Sequence, residues 1–209
     1  MKLGLFLTPQ WPRGADLSKV TDGLLEQARV ARANGFSSVL VGQHMVTGPR
    51  MQLVPLMARL LPAIEGMRIG AGVMLIPMLS PVLIAEEGAT LDWMSHGHYV
   101  LAGGLGYRPE AFEAMGTRKA HRAKRMEEAL EVIKRLWTEE RVSYHGRHYH
   151  LSNVAPVQRG TCPTWALACG PSKNPDPPFG WAATWSRPFA GRAAWRMLGW
   201  AHRPAISPS

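Results

Sequence analysis

The chain has 209 residues, 46% of them hydrophobic, enough to bury the core of one domain. Its net charge is +9, but over the first 159 residues acids are mixed with bases in helical segments and no basic stripe with interleaved aromatics stands out, which argues against a nucleic-acid partner. Leu3 to Leu7 is too short for a targeting segment, Pro77 and Pro81 interrupt the best candidate for a membrane span, and Cys162 and Cys169 are too far apart for a redox pair; a cytoplasmic protein is the expectation.

Lys2 to Leu7 reads as a first strand, ended by Thr8-Pro9-Gln10. Asp16 or Ser18 then caps a helix carrying Val20, Leu24, Ala28 and Ala31 at helical spacing, and Asn34-Gly35 stops it. Phe36 to Gly42 is a second strand whose Val39, Leu40 and Val41 suggest burial on both faces, as in a parallel sheet; it delivers Gln43 and His44 at its end. Leu53 to Ile64 is a second helix with Leu53, Met57, Leu60 and Ile64 on one face, with Pro55 and Pro62 near its two ends.

Arg68 to Ile76 is a glycine-punctuated strand, and Ser80-Pro81 caps a helix with Ile84, Glu87, Leu91 and Met94 along a stripe, stopped at Ser95-His96-Gly97. Tyr99 to Gly103 follows as a fourth strand. Strand, helix and strand within about forty residues make a crossover unit, which implies parallel strands with helices outside them. Beyond Tyr107 comes a strong helix striped by Met126, Leu130, Ile133 and Trp137, with Lys124–Glu128 and Glu131–Arg135 as opposite-charge pairs one turn apart. Val142 to Leu151 has two β-prone arms around His145-Gly146, the pattern of a hairpin.

The run SPVLIAEEGATLDWMSHGHYVLAGGLGYRPEAFEAMG, from Ser80 to Gly116, resembles the luciferase-like monooxygenase family, flavin- or deazaflavin (F420)-dependent oxidoreductases built on a TIM (β/α)8 barrel. The resemblance covers roughly Met1 to Gln158. It implies an α/β chain holding only about the first four βα units of the barrel, because a closed barrel typically needs about 250 residues. Two domains are expected: residues 1–158 as a partial barrel ending in the hairpin, and 159–209 as an irregular, disordered or out-of-frame tail. That tail holds five of the eight tryptophans and eight prolines with Asp176 its single acid, a bias that out-of-frame translation of a GC-rich gene would produce and that a divergent tail could also carry.

Reacting groups in this fold sit at the C-terminal ends of strands. His44 matches the family's histidine at the end of strand two, which the resemblance makes a proton donor, acceptor or electrostatic stabiliser beside the cofactor ring; on the residues alone it could be an ordinary loop histidine. The family's acid before this histidine is replaced by Gln43. Gly42, Gly72 and Val73 are carried over as cofactor-binding, the last two from a third-strand bulge that often contains a non-proline cis peptide. Gly104, Gly106 and Tyr107 are carried over from the fourth-strand end.

The glycines at 103, 104 and 106 make a poor dinucleotide fingerprint, since Pro109 stands where a further glycine is required. His145, His148 and His150 suit a solvated hairpin face better than a metal site, and no metal is expected. The cofactor implied is coenzyme F420 or FMN, and the substrate a small organic molecule. A different reading is an inactive half-barrel fragment, since phosphate contacts in this fold commonly come from loops after strands seven and eight. Uncovered strand edges make a homodimer possible, with no nucleic acid or membrane as partner.

Overall fold

A computed structural model describes residues 2–155, and the expectations for the tail lie outside them. Four strands, β1 (Gly4–Leu7), β2 (Ser38–Val41), β3 (Arg68–Ala71) and β4 (Tyr99–Val100), form one sheet in the order β1-β2-β3-β4. Every pairing is parallel, with Phe6 opposite Leu40 and Leu40 opposite Gly70. The four helices on the outside are α1 (Leu17–Ala33), α2 (Leu53–Leu60), α3 (Pro81–Met94) and α5 (Arg122–Thr138); a short α4 (Pro109–Ala114) lies in the loop after β4. Strands β5 (Val142–His145) and β6 (His150–Val154) make the expected antiparallel hairpin.

The period-two alternation of the strands decides which way the sheet faces. Leu7, Val39, Val41, Ile69 and Ala71 are almost wholly buried and pack with Leu24, Ala28, Met57, Leu60, Ile84 and Leu91 of the helices. Phe6, on the opposite face, is 54% exposed. The helix side is therefore a finished core, and the concave side is open. Two of the helices start where the sequence provides a side-chain acceptor: Asp16 accepts from the Ser18 and Lys19 amides at α1, and Ser80 accepts from Leu83 N ahead of Pro81 at α3.

Several expected boundaries move, each for a local reason. β3 ends at Ala71 rather than Ile76, because the chain passes through a cis Gly72–Val73 peptide and a 3-10 turn over Ile76–Met78; only Met74 resumes pairing, with Gly103. β4 is accordingly two residues long plus that single bridge. α2 stops at Leu60 and continues as a 3-10 turn containing Pro62, which has no amide hydrogen to donate.

Met94 is exposed rather than part of the α3 stripe. The last turn of α3 instead turns Asp92 and Ser95 inward, where they accept from the Tyr99 and His98 amides and lead the chain into β4. The stripe of α5 lies slightly round from the one expected: Ala129, Val132, Ile133 and Leu136 are buried, with Met126, Leu130 and Trp137 at its flanks. Its charged residues re-pair as well. Lys124 bonds Glu127 and Arg135 bonds Glu139, while Glu128 accepts from the backbone amides of Arg147, His148 and Tyr149 at 3.2, 2.8 and 3.3 Å. Three amides aimed at one carboxylate outweigh an exposed lysine pair.

His148 belongs to the hairpin loop rather than to a strand, so it does not share a face with His150. Its ring lies 5.3 Å from that of His121, whereas His145 and His150 are cross-strand neighbours at 6.4 Å. Among the described residues no three His, Cys, Asp or Glu side chains are grouped to hold a metal ion, and no helix is long and apolar enough to cross a membrane.

Candidate functional site

The parallel register brings the C-terminal ends of all four strands to one rim. Gly42 N donates to Leu7 O and Gly72 N to Val41 O, while Gly104 N donates to Met74 O, so the loops leave neighbouring strands side by side. Gln43 fastens the rim further. It is 8% exposed, and its Oε1 accepts from Leu75 N at 2.7 Å, tying the end of β2 to the segment after β3.

Beneath the rim the open face of the sheet is apolar. The Phe6 ring leans toward the strand ends over two glycines: a Cβ on Gly72 would lie 2.7 Å from Phe6 Cε2, and one on Gly42 would lie 3.2 Å from Phe6 Cζ. A Cβ on Gly104 would collide with Val73, whose side chain is 40% exposed. Gly42, Gly72 and Gly104 thus keep the sheet flat enough for Phe6 and Val73 to lie across it. Gly106 has φ +73°, where a side chain is strained, and turns the chain against Met78 and Phe112. Tyr107 follows it, two-thirds exposed.

His44 stands at this rim, half-buried. Burial, then the positive charges of Arg50 and Arg108, push its pKa below the ordinary imidazole value. The neutral ring is therefore favoured at neutral pH, with one nitrogen free to accept a proton. Arg108 reaches His44's surroundings from the β4 side and Arg50 from the β2 side. The sequence-derived residues accordingly gather at one end of the sheet: Gly42 and His44 from β2, Gly72 and Val73 from β3, and Gly104, Gly106 and Tyr107 after β4.

Phe6, Arg50 and Arg108 escaped the sequence reading. Phe6 could have been found from its place between Leu5 and Leu7, which puts it alone on the opposite face of the first strand. The arginines sit in loops without periodicity, and nothing local marks them. A planar apolar group fits the surface present, since the exposed Phe6 and Val73 side chains offer a broad face with an imidazole at its edge.

A sequence model described as luciferase-like monooxygenase matches residues 1–202, past the Gln158 at which the sequence reading ends the resemblance. An F420-dependent glucose-6-phosphate dehydrogenase of Segniliparus rotundus is 32% identical over 142 residues, covering 60% of this chain and 40% of that protein. An FMNH2-dependent dimethylsulfone monooxygenase of Pseudomonas putida is 27% identical over 143 residues, covering 63% of this chain and 39% of that protein. The crystal structure of monooxygenase RslO1 from Streptomyces bottropensis superposes with a TM-score of 0.72 at 26% identity, covering 80% of this chain and 51% of that one. The chain thus spans about two fifths of the length of these two relatives.

Proposed function

The chain belongs to the luciferase-like monooxygenase family, and on that premise we propose that it is part of a cytoplasmic flavin- or F420-dependent oxidoreductase acting on a small organic molecule. The observation that carries the reading is the gathering at one rim of a half-buried, neutral-favoured His44 and an apolar face made by Phe6 and Val73. One relative uses FMNH2 and another F420, which supports either cofactor.

The proposal assigns the ring system to the face of Phe6 and Val73, with Gly42, Gly72 and Gly104 keeping that face clear of side chains and Gly106 and Tyr107 bounding it. When bound, reduced FMN supplies oxygen activation and F420 a hydride. His44 takes or returns a proton at its free imidazole nitrogen, a role its depressed pKa suits because the acceptor form is present at neutral pH. Gln43 holds His44's strand end in place through Leu75 without adding a charge that would favour the imidazolium.

We also read the chain as pairing with a second copy. The edges of β1 and β4, unpaired among the described residues, and the open concave face support this, because two four-stranded parallel sheets related by a twofold axis complete the eight strands of the fold.

The test is fluorescence titration of the 209-residue chain with FMN and with F420. Saturable quenching by one of them is expected, with His44→Ala retaining binding and losing turnover. Quenching by neither cofactor overturns the reading.

A further inference from the structure

A pocket of about 470 Å³ opens between the loop after β1 and the loop after β2, lined by Gln10, Trp11, Pro12, Thr47, Pro49 and Arg50 together with Gly48. The two loops are tied to each other. Gln10 and Arg50 form an antiparallel bridge, Met51 N donates to Pro9 O at 3.2 Å, and Arg50 Nη2 donates to Gln10 Oε1. The loop backbones are thus set before any ligand arrives, and only the Arg50 and Thr47 side chains need to turn to meet one.

Two polar atoms of the lining residues, Arg50 Nη1 and Thr47 Oγ1, lie just behind the pocket surface with almost no accessible area and no hydrogen-bond partner among the described residues. Buried donors without acceptors are uncommon in folded proteins, and a guanidinium nitrogen out of water is especially demanding. None of the ion pairs among the described residues includes Arg50. A guanidinium N–H and a hydroxyl, both donors and without a carboxylate beside them, are chemistry for an oxyanion. Trp11 adds an aromatic wall, suited to an apolar body attached to that anion.

We propose that this pocket is a subsite for a carboxylate or phosphate group carried on an apolar body, received by Arg50 and Thr47 with Trp11 alongside. Its role as the substrate's anchoring subsite rests on the oxidoreductase reading, while the binding itself does not. Arg50 also lies close enough to His44 to depress its pKa, so a group held by Arg50 is delivered next to the proposed proton-transfer residue. The substrate class that follows is an organic acid or phosphate ester, with the anion away from the reacting carbon.

Calorimetric titration of the 209-residue chain without cofactor tests the site, using benzoate, phenyl phosphate and neutral benzamide as probes. At least one anion is expected to saturate, with benzamide about tenfold weaker or worse, since a charge-assisted hydrogen bond is lost. Arg50→Gln should abolish that discrimination. Because Arg50 also bonds Gln10, Thr47→Val is the second variant: it should raise the melting temperature by removing an unpaired buried hydroxyl, and at the same time weaken the anion several-fold, a combination that a purely structural threonine would not give.

Comparison of FMN with riboflavin separates the two sources of the anion. If the cofactor's phosphate occupies the pocket, Arg50→Gln weakens FMN and spares riboflavin, and phenyl phosphate competes with FMN. If the substrate's anion occupies it, FMN affinity is indifferent to the substitution and benzoate binds alongside. Either pattern supports an oxyanion site. Equal affinity for benzoate and benzamide, no saturation by either anion at millimolar concentration, or unchanged anion affinity in both variants overturns it. Cofactor quenching without anion binding would sink this subsite and leave the oxidoreductase reading standing.

Discussion

His44 is held in its neutral form by what surrounds it, and that makes its titration a sensitive report on the rim. Burial is the largest cause, and the charges of Arg50 and Arg108 add to it. Removing one positive neighbour favours the imidazolium, so Arg108→Gln should move the His44 pKa up toward the ordinary value, followed through the imidazole C–H resonances in a pH series. If neutral His44 is the base, the rising limb of activity moves to higher pH in the same variant. An unshifted titration would mean that Arg108 does not face this ring. Gln43 is the neighbouring case. The resemblance implies an acid before the histidine, and the glutamine in its place still provides the one feature the geometry uses, an acceptor for Leu75 N. Gln43→Ala leaves that partly buried amide without a partner and should lower stability by about 1 kcal/mol in urea unfolding. His44's place came with the resemblance, but Gln43's role was not legible beforehand: the residue type was visible in the sequence, while its partner lies more than thirty residues further on.

The packing of α5 on α3 shows how far periodicity can be read. Both helices were visible, α3 from its cap and spacing and α5 from its stripe and charge pairs, but their docking was not, since it depends on Gly88 and Trp137. A Cβ at Gly88 would lie 3.0 Å from Trp137 Cζ2 and 3.2 Å from Tyr99 Cε1, while the Trp137 Nε1 donates to Ala85 O at 2.9 Å. The indole is pinned and cannot easily give way. Gly88→Ala therefore opposes two effects: helix propensity gains about 1 kcal/mol, and overpacking costs about 1–3 kcal/mol. The fixed ring tips the balance toward a net loss, expected as a lowered urea midpoint; a raised midpoint would show that the seam is loose. Glu128 makes the same point for charge. Spacing along one helix paired it with Lys124, but the hairpin, folded back from twenty residues later, presents three amides to it. Patterns within an element ignore whatever a later element brings.

The architecture was the most legible level. Apolar strand runs, helix stops and the crossover argument led to four parallel βα units, and the sheet has that order and direction throughout. Strand lengths were overestimated, because apolar character continues through Met74 and Ile76 after ladder pairing has given way to a 3-10 turn. The open concave face bears on the whole molecule. With Phe6 more than half exposed and both outer strands unpaired along one side among the described residues, light scattering on the purified chain should give twice its 23.0 kDa mass at micromolar concentration. A monomer at that concentration would rule out pairing as the means of covering the face.

The strand order has one more consequence, for how the molecule is made. Because each strand lies beside the one synthesised just before it, a chain leaving the ribosome can lay down β1, add β2 against it with α1 behind, and continue by accretion. Every intermediate then ends in a receptive margin that the next stretch of nascent chain is already positioned to occupy.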